Sequence, residues 1–77
     1  MGNDDRLKWR CRRGLLELDL ILQKFLEGRF EQLDAGEKAL FGELLESPDP
    51  DLLDWALGRS EPDDPRYHGV VRLLRTQ

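Results

Sequence analysis

The residues of this 77-residue chain that could do chemistry are concentrated between positions 12 and 19. This stretch holds two guanidinium groups, a glycine and two carboxylates, namely Arg12, Arg13, Gly14, Glu17 and Asp19. It is either a local cap between two helices or a surface that grips another protein. Arginine offers a rigid five-donor fork for carboxylates and carbonyls, and glycine lets a partner's backbone approach closely. We favour the binding surface, because a cap explains Gly14 and Glu17 but not the crowding of the other charges.

The same stretch is poorly suited to catalysis. Side chains two positions apart on a helix point to different sides, so Glu17 and Asp19 make a poor acid–base pair. Cys11 lies between two arginines, which favour the thiolate, but the only histidine, His68, is far away in sequence. We expect Cys11 to be a small buried apolar contact and His68 a surface or half-buried side chain. With no cysteine–histidine cluster and no phosphate-binding glycine spacing, we predict no catalytic, metal or cofactor-binding residue.

The net charge of −4 is unevenly distributed. Residues 1–13 carry five basic and two acidic groups, residues 14–65 four basic and fourteen acidic, and residues 66–77 three basic and none acidic. An acidic body argues against a nucleic-acid binder, which needs a broad basic footprint. The basic N-terminal stretch is either a solvated helix face or a patch for an acidic protein surface.

One cysteine excludes an intramolecular disulfide and fits a reducing compartment. The longest wholly apolar run is three residues, so no segment could span a bilayer or form a signal-peptide core. We therefore expect a soluble, cytoplasmic protein with one domain, residues 1–77, and no membrane insertion.

Apolar periodicity and the placement of glycine and proline predict an all-α fold, a single compact bundle of about five short helices. Asn3 or Asp4 is predicted to cap the first helix, and Gly14 to end it in a left-handed conformation. The second helix is predicted from about Leu15 to Glu27, ended by Gly28. Its predicted apolar stripe consists of Leu15, Leu18, Leu22, Phe25 and Leu26.

Three further helix starts have local signals. Residues 34–37 have the spacing of a capping box, Asp49 is expected to cap a fourth helix ahead of Pro50, and Asp64 repeats that signal. Gly58 is expected to end the fourth helix. The predicted inward residues are Phe30, Leu33, Ala39, Leu40, Phe41, Leu44, Leu45, Leu52, Leu53, Trp55, Ala56, Leu57, Tyr67, Val70, Val71 and Leu74. For Trp9 the sequence favours neither of two alternatives, a position in the core or an anchor in an interface. The second is based on the enrichment of Trp and Arg at binding hot spots.

The pattern Trp9-x-Cys11-Arg12-Arg13-Gly14-x-x-Glu17-x-Asp19 resembles the signature of the small assembly factors of succinate dehydrogenase, the FAD assembly or flavinylation factors. A second match is Leu44-Leu45-Glu46 leading to Asp49-Pro50-Asp51-Leu52-x-x-Trp55, and a weaker one is residues 70–74. The resemblance covers nearly the whole chain. Because no long N-terminal extension is present, it points to a bacterial member.

This resemblance implies a compact fold of about five helices and a specific function. Such proteins bind the flavoprotein subunit of succinate dehydrogenase, and of the related fumarate reductase in some bacteria, and promote covalent attachment of FAD to a histidine of that subunit. Arg13, Gly14 and Glu17 fall on the functional motif of the family. Arg12, Trp9 and Asp19 lie beside it and are further candidates for partner binding.

The resemblance therefore predicts a non-catalytic assembly factor, a monomer when alone, that binds no cofactor stably. FAD is then the cofactor of the client, which also performs the chemistry. The alternative is a generic small helical module for protein–protein interaction or regulation. Co-purification with a flavoprotein separates these two hypotheses.

Overall fold

A computed structural model describes residues 3–75, with side chains from Asp5 onward. Its elements are α1 (Asn3–Arg10), α2 (Leu16–Gly28), a 3-10 turn (Phe30–Gln32), α3 (Ala35–Leu44), α4 (Asp49–Leu57), a second 3-10 turn (Pro65–Tyr67) and α5 (His68–Arg75). Five short helices, without a strand in residues 3–75, confirm the predicted all-α fold. None of these helices is long and apolar enough to cross a membrane.

The core is one cluster of buried apolar side chains contributed by α2, α3, α4, α5, the connections between them and Cys11 in the turn before α2. At its centre, Phe25, Phe30 and Phe41 are fully buried, with ring centroids 4.9 to 6.4 Å apart. Burying each such side chain stabilises the fold by roughly 1.5–3 kcal/mol. Phe30 and Leu33 enter the core from the connection after α2, as predicted.

Most of the predicted local signals are confirmed. Gly14 and Gly58 have φ angles of 85° and 79°, in the left-handed region that favours glycine, and Gly58 ends α4 as predicted. The predicted helix ends at Gly14 and Gly28 are wrong, because α1 already ends at Arg10 and Gly28 is the last residue of α2, which Arg29 caps in a right-handed conformation. Asp34 Oδ1 accepts from the Glu37 amide at 2.8 Å, and the Asp34 amide donates to Glu37 Oε1 at 3.0 Å, which completes the capping box of α3. Asp64 acts as a cap by accepting from the Arg66 amide at 3.0 Å, but the element that it caps is the second 3-10 turn, and α5 begins only at His68. The predicted cap of α1 concerns side chains outside the described set.

The predicted cap of α4 is wrong. Helix α4 begins at Asp49, its N-cap residue is Pro48, and no side chain caps it. The Asp49 carboxylate instead accepts from Arg13 Nε at 2.7 Å. A charged donor from a distant part of the chain therefore takes the carboxylate that local sequence assigned to the helix end.

Three predicted core positions are wrong as well. Leu15 precedes α2 in an extended conformation and is exposed, so it does not continue the buried stripe of that helix. Leu57, the last residue of α4, and Ala39 on α3 are also exposed. The remaining predicted inward residues are buried or half-buried.

Candidate protein-binding surface

The turn between α1 and α2 is shaped by a carboxylate from within α2. Asp19 Oδ1 accepts from the Arg13 amide at 2.8 Å, and Asp19 Oδ2 accepts from the Gly14 amide at 3.2 Å. The N-cap residue of α2 is Leu15, whose apolar side chain cannot accept hydrogen bonds from backbone amides. Asp19, predicted as a partner contact, is therefore half-buried and holds the turn.

The Arg13 side chain ties this turn to the turn between α3 and α4. Nε donates to Asp49 Oδ1 at 2.7 Å, Nη1 to the Leu45 carbonyl at 2.7 Å and the Arg10 carbonyl at 3.3 Å, and Nη2 to the Ser47 carbonyl at 3.1 Å. These bonds use four of the five guanidinium donors, and the side chain is only 17% exposed. In this structure the fork of Arg13 is thus engaged inside the chain.

Gly14 and Glu17 are the motif residues that stay open. A Cβ atom built on Gly14 would meet no heavy atom within 4 Å, so its backbone is accessible and only its φ of 85° demands glycine. The Glu17 carboxylate is exposed and has no hydrogen bond or ion pair with any other described residue. Its place in the first turn of α2 is favourable for a negative charge.

Trp9 lies at the surface, so the core position is excluded and its role as an interface anchor stays a prediction. Its side chain is 69% exposed, and the Arg12 guanidinium lies 5.4 Å from the ring centroid. The pair borders a groove of about 380 Å³ between α1 and α2, whose far wall includes Gln23, Leu26 and Glu27. An exposed indole beside an exposed guanidinium is a typical anchor of protein interfaces.

Leu16 and Leu20 complete this surface and were missed by sequence reasoning. They are 77% and 60% exposed, one turn apart on α2. With Gln23 and Glu27 they form a stripe opposite the buried leucines, and this stripe leads to the groove beside Trp9. The signal was present, because leucines on both sides of one helix cannot all face one core. We call the exposed residues Trp9, Arg12, Gly14, Leu16, Glu17 and Leu20 the α1–α2 face.

The two isolated reactive side chains lie outside this face. Cys11 is buried, and burial raises the pKa of its thiol to about 12 although the Arg13 and Arg10 charges oppose the shift. The thiol is therefore protonated and packs as an apolar contact, as predicted. His68 is half-buried, with Nε2 2.9 Å from the Pro62 carbonyl oxygen. Residues 3–75 hold no cluster of three acidic, cysteine or histidine side chains arranged for a metal ion.

Comparison with known proteins connects this face to a family. The family described as "Flavinator of succinate dehydrogenase" matches residues 5–77, which includes the whole α1–α2 face. The chain belongs to this family. Proteins named FAD assembly factor SdhE are similar to this member at 41% identity in Coxiella burnetii, over 91% of this chain and 85% of the relative. The corresponding protein of Yersinia pseudotuberculosis is 39% identical over 100% of this chain and 88% of its own, and that of Aliivibrio fischeri 42% over 86% and 77%.

These matches confirm the family resemblance predicted from the sequence motifs. The contact of individual residues with a partner stays a prediction for Trp9, Arg12, Arg13, Gly14, Glu17 and Asp19. The geometry divides the six into two groups. Arg13 and Asp19 are bonded within the chain, whereas the other four are exposed on the α1–α2 face.

Proposed function

We propose that this protein is an assembly factor that binds the flavoprotein subunit of succinate dehydrogenase and promotes covalent attachment of FAD to that subunit. The observation that carries the proposal is the α1–α2 face of a chain in the flavinator family. Four of the five large apolar side chains exposed in residues 3–75 lie between positions 9 and 20. Such a concentration of apolar surface beside free charges is typical of a protein-binding site.

The turn residues support this role in two ways. Arg13 and Asp19 fix the backbone around Gly14, so the face has its shape before a partner arrives and less ordering entropy is lost on binding. Glu17 then offers an unpaired carboxylate for a charge-assisted hydrogen bond with the client. Gly14 offers bare backbone, which permits close approach of a second chain.

We infer that the chain acts on the conformation of its client. The flavoprotein binds FAD and supplies the histidine, and their reaction requires that the two groups be held in a productive geometry. Tighter binding of this chain to the competent conformer would raise the population of that conformer. The fumarate reductase flavoprotein is proposed as a second client for the same reason.

The side chains of this protein support a non-catalytic role. The Cys11 thiol is protonated and buried, and Nε2 of His68 lies within hydrogen-bond distance of the Pro62 carbonyl oxygen. Neither side chain belongs to the α1–α2 face. We propose that the protein binds FAD only as part of the client, that it is a monomer alone, and that it acts in the cytoplasm. A single cysteine suits a reducing compartment.

Reconstitution tests the proposal. Apo flavoprotein subunit, FAD and this protein are mixed, and flavin fluorescence is read in a denaturing gel. We expect a fluorescent band that increases with the wild-type protein. Glu17→Ala should raise the concentration for half-maximal flavinylation by about ten-fold or more, because a hydrogen bond to a charged group contributes about 1.5–3 kcal/mol. Asp63→Ala, which removes another exposed carboxylate in the connection before α5 and away from the face, is the control.

Two outcomes contradict the proposal at different levels. A band of equal intensity with and without the wild-type protein would refute the assembly function. Wild-type activity in Glu17→Ala would refute the role of that carboxylate. Circular dichroism should show unchanged helicity in Glu17→Ala, because the side chain has no partner inside the described chain.

A further inference from the structure

A second groove lies on the opposite flank of α1, between α1 and α3. It has a volume of about 530 Å³. From α1 it is lined by Arg6, Leu7 and Arg10, and from α3 by Ala35, Lys38, Ala39 and Gly42. Neither the predicted motif nor the α1–α2 face uses these residues.

The floor of the groove is apolar and made of small residues. Leu7 packs onto Gly42 so closely that a Cβ atom there would lie 3.1 Å from Leu7 Cδ2. Arg10 Nη2 donates to the Gly42 carbonyl at 3.0 Å, which fixes the register of the two helices. The apolar lining residues leave a floor between the two helices against which an apolar side chain can pack.

The rim of the groove carries charge of one sign. Each charged residue lining it, Arg6, Arg10 and Lys38, is a cation, although the whole chain has a net charge of −4. Arg6 is exposed and forms no hydrogen bond or ion pair with another described residue. Lys38 lies on the α3 side of the groove, and its ammonium group is 4.9 Å from the centroid of the Phe30 ring. Guanidinium groups in this setting suit carboxylates, which they bind through paired hydrogen bonds.

We propose that this groove binds a carboxylate-bearing segment of the flavoprotein client, with acidic side chains on either side of an apolar one. This inference rests on the proposed function, since it names the chemistry of the same partner. A free phosphate would use the cations but gain nothing from the apolar floor, whereas a peptide uses both. A helix is about 10–12 Å across with its side chains, so a partner that covers α1 reaches both flanks.

Affinity measurements on the full chain test the groove. The dissociation constant for the apo flavoprotein subunit is measured at about 50 mM and about 200 mM sodium chloride, a range in which exposed charges are progressively screened. The variant Arg6→Glu/Lys38→Glu should bind on the order of ten-fold or more weakly at low salt and lose much of the salt dependence. Arg59→Glu/Arg72→Glu makes the same change in net charge at exposed sites elsewhere and should bind like wild type.

Each outcome has a distinct meaning. Wild-type affinity in Arg6→Glu/Lys38→Glu overturns the groove proposal and leaves the proposed function intact. Absence of wild-type binding to the client overturns the proposed function itself. Titration with inorganic phosphate, followed by the amide resonances of Ala39 and Gly42, covers the other source of anionic ligand: saturation at low millimolar phosphate would assign the groove to a free anion and overturn the proposal.

Folding of the variants is controlled separately. Arg6→Gln/Lys38→Gln removes both charges without adding carboxylates, so it should bind with intermediate affinity if charge is the cause. Circular dichroism should match wild type for both double variants, and urea unfolding measures the loss of stability that follows from removing the contact of Lys38 with the Phe30 ring. Equal loss of affinity in the Glu and Gln variants, together with lower stability, would overturn the electrostatic assignment.

Discussion

Replacing Arg13 by alanine should destabilise the fold, even though the residue belongs to the functional motif of the family. The substitution removes the two shortest bonds of the turn, both 2.7 Å, to Asp49 Oδ1 and to the Leu45 carbonyl. Hydrogen bonds that involve a charged group contribute about 1.5–3 kcal/mol each. Two bonds at the lower end of that range give a loss of about 3 kcal/mol.

The solvent exposure of Asp49, which loses its partner, determines how large the loss of unfolding free energy in Arg13→Ala should be. Removing one member of a fully buried ion pair costs about 3–5 kcal/mol, because the other charge is left without a partner. The Asp49 side chain is 29% exposed, so water can solvate part of the abandoned carboxylate and the lower end applies. A chain of 77 residues has a free energy of unfolding of about 4–12 kcal/mol, so Arg13→Ala should still fold.

Urea unfolding followed by far-ultraviolet circular dichroism measures the effect. With a slope of about 1.5 kcal/mol per molar, a loss of about 3 kcal/mol lowers the midpoint by about 2 M. Arg13→Lys should recover at most half of the loss, because an ammonium group has no planar fork. Arg72→Ala removes an exposed arginine and should stay within about 0.5 kcal/mol of wild type.

A loss below about 0.5 kcal/mol in Arg13→Ala, similar to that of Arg72→Ala, would refute the reasoning. The guanidinium would then be free to serve the client directly. A double-mutant cycle with Asp49→Ala should give a coupling free energy of about 1 kcal/mol or more, since the two side chains share a short bond.

Three further perturbations probe separate parts of the structure. Gly14→Ala should lower the free energy of unfolding by about 1–2 kcal/mol, because a φ of 85° crowds a Cβ atom. Gly14→Asn should lower it by less in the same urea assay, since asparagine tolerates this conformation better. Equal losses of stability in the two variants would contradict the conformational explanation. Gly42→Ala should weaken the packing of α1 on α3, because the new Cβ atom would lie 3.1 Å from Leu7 Cδ2. This loss should exceed the gain in helix propensity of about 1 kcal/mol. Faster hydrogen exchange of the α1 amides checks the prediction, and a variant more stable than wild type would contradict it. Burial raises the pKa of the Cys11 thiol from 9.0 to about 12, so between these values the unfolded chain releases a proton that the folded chain keeps. Stability should therefore fall by about 1.4 kcal/mol per pH unit above about pH 9, and Cys11→Ala should lack this component; identical pH profiles of the two proteins would contradict the burial argument.

Features that depend on neighbours in sequence were predictable. The capping box at Asp34 and Glu37 needs only residues three positions apart. The left-handed position of Gly58 follows from the absence of a Cβ atom where α4 ends, whereas Gly14 has a positive φ in the turn before α2 and does not end α1. For the capping box and for Gly58, the interaction that decides the conformation lies within one helical turn.

The error at Asp49 shows where such reasoning stops. An aspartate just before a proline is a good local cap, and nothing nearby competes for it. The competitor is Arg13, 36 positions earlier, and only the packing of α1 beside the turn after α3 brings the two together. A single sequence does not reveal which distant pairs will meet.

The candidate surface was predicted in part. The exposed position of Trp9 was left open, because an indole suits a core and an interface equally well. The exposure of Leu16 and Leu20 was not predicted, because the sequence argument concerned only the buried stripe of α2. Their angular position opposite that stripe follows from helical periodicity and could have been predicted from the sequence. The charges of the motif were found by type, but only the structure separates the bonded Arg13 from the free Glu17.

The tie between the two turns also imposes an order on folding. The acceptors of the Arg13 side chain on the α3–α4 side lie 32 to 36 positions further along the chain. Contacts across such separations form after local ones, because closing the intervening loop costs conformational entropy. The α1–α2 turn therefore reaches its final shape only when α3 and the start of α4 are in place. A chain interrupted before residue 49 would contain the complete motif but lack Asp49, the carboxylate that accepts from Arg13 Nε, so the motif by itself does not complete the tie between the two turns.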